Sequence, residues 1–428
     1  MSSRSVLWLS AKTLLVLSLL SCLYFAALVL SHYFVDDQDI FDSIARDFAD
    51  SGIVFMDDRV RVKSAIMGEE LRYPMADCRF LTMGLTHRGS DWSDAVLEAA
   101  GNHSSKKCPK EVVEFFSGDT PPEEEHTYAR YWHGYTFLTR PLLAHFSYSG
   151  LRTFMMFATG LLFLGFLWTL YRAQGVWFAV AFAVPVAAFS VDYFFTIISY
   201  SFMFFVGLAA FLVSLPVLRR AESNAPVYLM FAIVGSLTSF LDRIIDPLFT
   251  LCLPLVAVIA IYLPRHDRFQ SHVAGFWLIT LSSVWWLFGY AYNWLFKIAL
   301  NFVLFGETEV LRALRKAKRR SSTDTNNGAI DRLDGLWVNI NQIKIVFFVS
   351  LIVFLAALLV SRLRVNAQQF CLMIVAIMPI AWIFLLANHS FNHKHFVHYM
   401  LYITVSCLLS VAFSLILARL AEHRLQKA

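Results

Sequence analysis

The sequence predicts an all-α polytopic membrane protein of about ten transmembrane helices with a mixed extracytoplasmic loop after the first, and three observations support this. Hydrophobic residues make up 58% of the 428-residue chain and charged ones only 16%, where a soluble domain carries about 25% charged residues. Apolar segments recur along most of the chain, many of them near the length of about 20 residues that a crossing needs. The remaining charges gather in a few connections whose sign changes from one to the next, so the net charge of +5 says little by itself. Nothing in the pattern points to nucleic acid.

Within residues 1–33, Arg4 and Lys12 accompany an apolar core from Val6 to Leu30, which places the N-terminus in the cytoplasm by the positive-inside rule. That core is too long for the hydrophobic region of a signal peptide, and no small-residue cleavage site follows, so it reads as a retained helix. It runs out at Tyr33 to Asp47, YFVDDQDIFDSIARD. Asp36, Asp37, Asp39 and Asp42 arrive there together, while Ile40, Ile44 and Phe48 recur at helical spacing. This predicts a short amphipathic helix on the membrane surface. Asp36 and Asp37 have two readings: a cap on the free N–H groups of that helix, or a general base acting on a membrane-embedded substrate.

Residues 34–150 then form an extracytoplasmic loop with 20 Asp and Glu against 12 Lys and Arg. Cys78 and Cys108 are the two cysteines outside apolar segments, and an oxidising compartment favours a disulfide between them. The other four, Cys22, Cys252, Cys371 and Cys407, sit in apolar segments, where Cys fills space. Further helices are expected near 153–171, 176–190, 200–217, 226–241, 247–263 and 273–295, within residues 151–296. Three more are expected near 344–361, 370–387 and 400–418, within residues 344–428. Arg172, Arg219/Arg220, Arg265/Arg268, Arg362/Arg364 and Arg419/Arg424/Lys427 then all fall on the cytoplasmic side, as the charge rule requires.

Residues 297–343 form a basic loop that breaks this rule, with Lys297, Arg312, Arg319 and Arg320 among its cations. The helix count puts it outside, and long loops translocate regardless of charge. The alternative is a further helix between 295 and 312, which would make the cluster cytoplasmic. Placed outside, it shares one face with the acidic loop and offers guanidinium groups to a phosphate.

Three polar groups belong to that face. Arg130-Tyr131-Trp132-His133-Gly134-Tyr135 and Arg140 precede the second long helix; they read either as an interfacial aromatic belt with a snorkelling arginine or as a substrate-binding cluster. Asp242-Arg243 with Asp246 lies between two helices, as an internal ion pair or as part of a site. His389 and His393, four apart in ANHSFNHKHF, could share a helix face as metal ligands do. No Cys or carboxylate lies near them in sequence. Contacts to a phosphate or sugar are therefore favoured, and no metal or other cofactor is assigned, although a divalent ion is compatible.

One N-terminal helix, a large first outer loop opening with acidic residues and about ten helices resemble the GT-C membrane glycosyltransferases. The strings RYWHGYTFLTRPLL and ANHSFNHKHF also resemble uncharacterised bacterial envelope proteins. Among characterised enzymes the chain is similar to bacterial cell-surface arabinofuranosyltransferases, including those that decorate pilins. The resemblance implies a multi-pass protein of the bacterial inner membrane with its active site facing the periplasm or outside. It also implies a polyprenyl-phosphate-linked sugar donor, possibly of arabinofuranose, and an extracytoplasmic glycan or protein acceptor. Asp36 or Asp37 would be the base, and Lys297, Arg312 and the histidine segment would stabilise the departing lipid phosphate. Tyr131, Trp132 and Tyr135 would stack on the sugar. The chain departs from the pattern in its closely spaced aspartates, and only ten residues follow Ala418, so acceptor recognition is expected from the outer loops. A transporter or flippase of a lipid-linked substrate is the other class, although transporters mostly place ionisable residues near the bilayer midplane.

Overall fold

The computed structural model describes residues 3–51, 61–63, 70–72, 96, 100–102, 125–127, 131–189, 191–241, 246–307, 311, 314–315, 332–362, 364–385 and 398–427. Helix α1 (Ser3–Phe34) gives way at Val35 and Asp36 to α2 (Asp37–Ser51). The break has a local cause: Asp36 Oδ1 accepts from the Gln38 N–H at 2.9 Å, satisfying a donor at the start of α2. Ile40 and Ile44 are fully buried while Asp39 and Asp42 are exposed, which is the expected amphipathic stripe. Among the described residues of segment 34–150, β1 (Arg61–Lys63) pairs antiparallel with β2 (Glu70–Arg72), and β3 (Ala100–Asn102) with β4 (Glu125–Thr127). Cys78 and Cys108 lie outside the described residues.

Helix α3 (Tyr135–Gln174) starts well before the boundary expected near 153. Thr136, Thr139, Arg140 and His145 interrupt its apolar run, so hydropathy alone placed the start too late. It is kinked at Ser147, whose φ is 62°. There Ser147 Oγ accepts from Gly150 N–H at 3.3 Å and Asp47 Oδ2 from Ser149 N–H at 2.9 Å. These bonds take up donors that the break leaves without helical partners.

The remaining helices are α4 (Val176–Phe189), α5 (Val191–Phe195), α6 (Ile198–Arg220), α7 (Asn224–Leu241) and α8 (Leu248–Ala257). A widened turn at Val258–Tyr262 and a tight one at Leu263–Arg265 prolong α8. Then come α9 (His272–Phe305), α10 (Arg332–Gln342), α11 (Lys344–Val360), α12 (Ala367–Leu385) and α13 (Leu401–Lys427). Among the described residues eight helices are long and apolar enough to cross a membrane, and α10 with α11, bent by 92°, would make a ninth. Helix α4 has 14 residues, about 21 Å of rise against a hydrocarbon core of about 30 Å.

The boundary expected at 296 is corrected. Helix α9 continues to Phe305, so Lys297 stands inside a helix and not at the start of a loop.

Helices α8 and α13 form the centre, with 83% and 78% of their apolar windows buried, against 28% for α1 and α3. Phe194, Phe204, Phe249 and Tyr402 interlock there with centroids 4.9 to 6.4 Å apart, mostly edge to face. Helices α7 and α9 cross backbone to backbone. A Cβ on Gly235 would stand 1.9 Å from the Trp286 carbonyl oxygen, and one on Gly289 1.9 Å from that of Ala232. Small residues permit such approaches between membrane helices.

Candidate functional site

A chain of contacts ties several helix ends together at one end of the bundle. Phe240, at the end of α7, stacks on Tyr24 of α1 at 4.3 Å and meets the edge of Trp132 at 6.0 Å. Gly134 N–H donates to the Phe240 carbonyl at 2.9 Å. A Cβ at Gly134 would lie 2.5 Å from that oxygen, so only glycine allows the approach. Tyr135 then contacts Phe202 of α6, Tyr200 contacts Tyr399, and Tyr399 stacks on Phe249 near the start of α8.

The buried charges collect at this end. Among the described residues, five Arg, Lys, His or Asp side chains are buried: His133, Arg140, Asp246, Lys297 and His398. His133 and Arg140 flank the start of α3, Asp246 and His398 precede α8 and α13, and Lys297 lies eight residues before the end of α9. The opposite end carries Arg172, Arg219, Arg220, Arg265, Arg268, Arg362, Arg364 and Arg419. Helix α9 has 34 residues and rises about 51 Å, so Lys297, about 38 Å from its start, stands in the last third of the helix and away from its middle. Buried charges gathered at one end of the bundle, with none buried midway along the long helices among the described residues, fit a site reached from that end.

Two polar constellations shape the site. In the first, Arg140 Nη2 donates to Asp37 Oδ1 at 2.5 Å and to the Val35 carbonyl at 2.9 Å. The Arg140 side chain is 2% exposed and that of Asp37 24%. One guanidinium thus closes the joint between α1 and α2 and orients a carboxylate that still reaches solvent. Asp36, Asp39 and Asp42 are exposed; Asp42 Oδ1 accepts from Gln38 Nε2 at 2.5 Å.

In the second, Trp132 Nε1–H donates to the Asn293 carbonyl at 3.0 Å. Lys297 Nζ stands 5.3 Å over the Trp132 ring, a cation–π geometry. The Asn293 side chain accepts from Ser21 Oγ of α1 at 2.9 Å and donates to the Ser236 carbonyl of α7 at 3.1 Å. His133, with φ of 52°, packs edge-on between Tyr131 at 6.2 Å and Tyr135 at 6.1 Å. A non-glycine residue in the left-handed region is uncommon, although histidine is among the residues enriched there.

The structure therefore gathers Asp36, Asp37, Tyr131, Trp132, His133, Tyr135, Arg140 and Lys297 at one end. Arg130, Asp242, Arg243, Arg312, Arg319, Arg320, His389 and His393 lie outside the described residues. No three His, Cys, Asp or Glu side chains among the described residues are grouped as a metal site would need.

Sequence reasoning passed over Asn293 and gave Asn301 no role. Their signal was present: Asn293, Lys297 and Asn301 recur every four residues in an apolar helix, and all three are buried. The structure also singles out Asp246, buried next to Pro247 and Phe249, and His398, whose side chain is wholly covered. No family model matches the chain, and neither curated proteins nor solved structures give a match.

Proposed function

We propose that this protein is a membrane glycosyltransferase of the GT-C type, moving a sugar from a polyprenyl phosphate to a hydroxyl on an extracytoplasmic acceptor. The observation that carries this reading is the collection, among the described residues, of the five buried Arg, Lys, His and Asp side chains at one end of the bundle, with a solvent-reaching carboxylate held by the guanidinium among them. A reaction between a lipid-anchored donor and a water-borne acceptor needs acid–base and anion-binding groups at the membrane surface. A transport path needs them near the midplane.

In this mechanism Asp37, oriented by Arg140, takes the proton of the acceptor hydroxyl. One of its oxygens is engaged by Arg140, and a carboxylate has acceptor sites to spare. The acceptor oxygen bonds to the anomeric carbon as the bond from that carbon to the phosphate oxygen breaks, and the electron pair leaves with the lipid phosphate. Lys297 supplies positive charge toward that phosphate; Tyr131, Trp132 and Tyr135 are buried, with Phe296 and Lys297 against the Trp132 ring, so they form the wall behind the site and do not stack on the sugar. Asp36, exposed and itself the cap of α2, is the second candidate base. Arabinofuranose is the proposed sugar.

The proposed topology has ten crossings, counting the short α4 and the bent α10–α11 pair. Both termini are cytoplasmic, because the opposite end then carries the arginines of every short connection. The protein would sit in a bacterial inner membrane with the Asp37 end outside.

The test is incubation of purified protein with a panel of polyprenyl-phosphate sugars and an acceptor, reading release of the lipid phosphate. Release with one donor, lost in Asp37→Asn with the fold intact, is the expected result. No release from any donor, together with substrate-driven movement of an intact lipid-linked sugar between leaflets, would replace this reading with transport.

A further inference from the structure

At the end of the bundle opposite the Asp37 site, α11, α12 and α13 form a half-open cavity of about 150 Å³ lined by Ser361, Arg362, Arg364, Gln369, Arg419 and Glu422, with Asn366, Leu415 and Ala418 completing its wall. Holding one water takes roughly 15 Å³, so there is room for a polyatomic anion. Three guanidinium groups against one carboxylate leave the lining positive by two charges. Arg419 Nη1 is bound to Glu422 Oε2 at 2.8 Å. Arg362 and Arg364 are exposed on the connection between α11 and α12. The floor is ordered by reciprocal bonds: Asn366 N–H donates to Gln369 Oε1 and Gln369 N–H to Asn366 Oδ1, both at 2.9 Å, and Gln369 Nε2 reaches Ser414 Oγ of α13. The same cap leaves the positive end of the α12 dipole facing the cavity.

Two features suit this place to a phosphate-bearing ligand. It is a half-open hollow whose wall is shared by three helices. It also joins charge to apolar surface, since Leu415 and Ala418 line it and Leu359, Val360 and Leu417 are exposed on the adjoining helices. Basic pockets between membrane helices suit phosphate headgroups, whose oxygens accept from guanidinium forks while the acyl chains stay in the bilayer.

We propose that this cavity is a binding site for a phosphate-bearing anion presented at the membrane surface, of the chemistry of an anionic phospholipid headgroup. Arg362 and Arg364 bind the phosphate, and Glu422 competes with it for Arg419.

The experiment is native mass spectrometry of the full chain in detergent, titrated separately with phosphatidylglycerol, phosphatidylcholine and inorganic phosphate. Retention of phosphatidylglycerol over phosphatidylcholine is expected. A basic side chain at an anionic surface contributes about fivefold in binding. The variant Arg362→Gln/Arg364→Gln should therefore lose about 25-fold, while Glu422→Gln, which frees Arg419, should gain about fivefold. Arg220→Gln, exposed at the same end but outside the cavity, removes a charge without touching the site and should change little. Displacement of the lipid by inorganic phosphate would assign the site to a free phosphate; resistance to displacement would assign it to the headgroup. Equal retention of the two lipids, or a loss in Arg220→Gln as large as in the double variant, would overturn the proposal. Glu422→Gln removes only a half-exposed carboxylate, so its predicted gain keeps the test decisive if the arginine variant does not fold.

Discussion

Asp37 and Arg140 make a pair whose energetics can be worked through before any activity is measured. Two unit charges about 4 Å apart interact by about 4 kcal/mol at an effective dielectric of 20. Arg140 is buried, but a quarter of the Asp37 side chain meets water, so screening reduces the coupling to about 1–2 kcal/mol. Asp37→Asn keeps the shape of the side chain and removes the charge facing a buried guanidinium, which costs about 3 kcal/mol. Arg140→Met keeps the packing of the stem and leaves a carboxylate that can still turn to water, at a cost of about 1–2 kcal/mol. The double variant should be about 1–2 kcal/mol more stable than the sum of the singles predicts. Urea unfolding in detergent, followed by tryptophan fluorescence, measures all four proteins. Additivity within about 0.5 kcal/mol would refute the coupling and with it the idea that Arg140 holds Asp37 in place.

The glycine crossing is tested by Gly289→Ala, which sets a methyl 1.9 Å from a carbonyl oxygen and should destabilise by about 3 kcal/mol or more, read in the same unfolding assay. Asn293→Leu removes the two side-chain bonds that join α1 and α7 to α9 and should cost about 1–2 kcal/mol; hydrogen exchange should report the loosening first in α1. In the proposed reaction, Asp37→Asn should lower turnover by about 10²–10⁴-fold with donor binding kept, whereas Asp36→Asn should leave turnover within severalfold. The reverse ranking in single-turnover assays would make Asp36 the base. A reporter fused after Asp119 should be active only in a form that reads extracytoplasmic exposure, and cytoplasmic activity would invert the topology.

The long apolar helices were legible because hydropathy over about 20 residues is a strong signal. Their ends were less so, because a polar residue near the surface can belong to a helix or to the loop beyond it. Lys297 and Arg140 illustrate this: each breaks an apolar run, yet each lies inside a helix and is buried. The amphipathic α2 was readable from Ile40 and Ile44, but its docking on α3 through Arg140 was not. The pairing joins residues 103 apart, and no local pattern encodes a contact at that distance. Gly134 shows the same limit. Its sequence neighbours explain nothing about it, and the reason for glycine is the Phe240 carbonyl on another helix.

Asn293 has a consequence for how the protein is made. Its amide receives the hydroxyl of Ser21, 272 residues earlier in the chain, and at 5–20 residues per second that separation is about 14–54 s of synthesis. Helix α1 therefore enters the bilayer long before its partner exists. In the interval its hydroxyls can fall back on carbonyls four residues behind, as Thr13 and Ser18 still do at 2.8 and 2.9 Å. When α9 arrives, the same amide binds Ser21 and Ser236, and its own carbonyl takes the Trp132 indole. The opening helix, the α7–α9 pair and the Trp132 segment are thus fastened at one late moment. A nascent chain stopped before Asn293 should hold α1 through the Tyr24–Phe240 stack and the Arg140 bond to Val35, without the amide that fastens its middle.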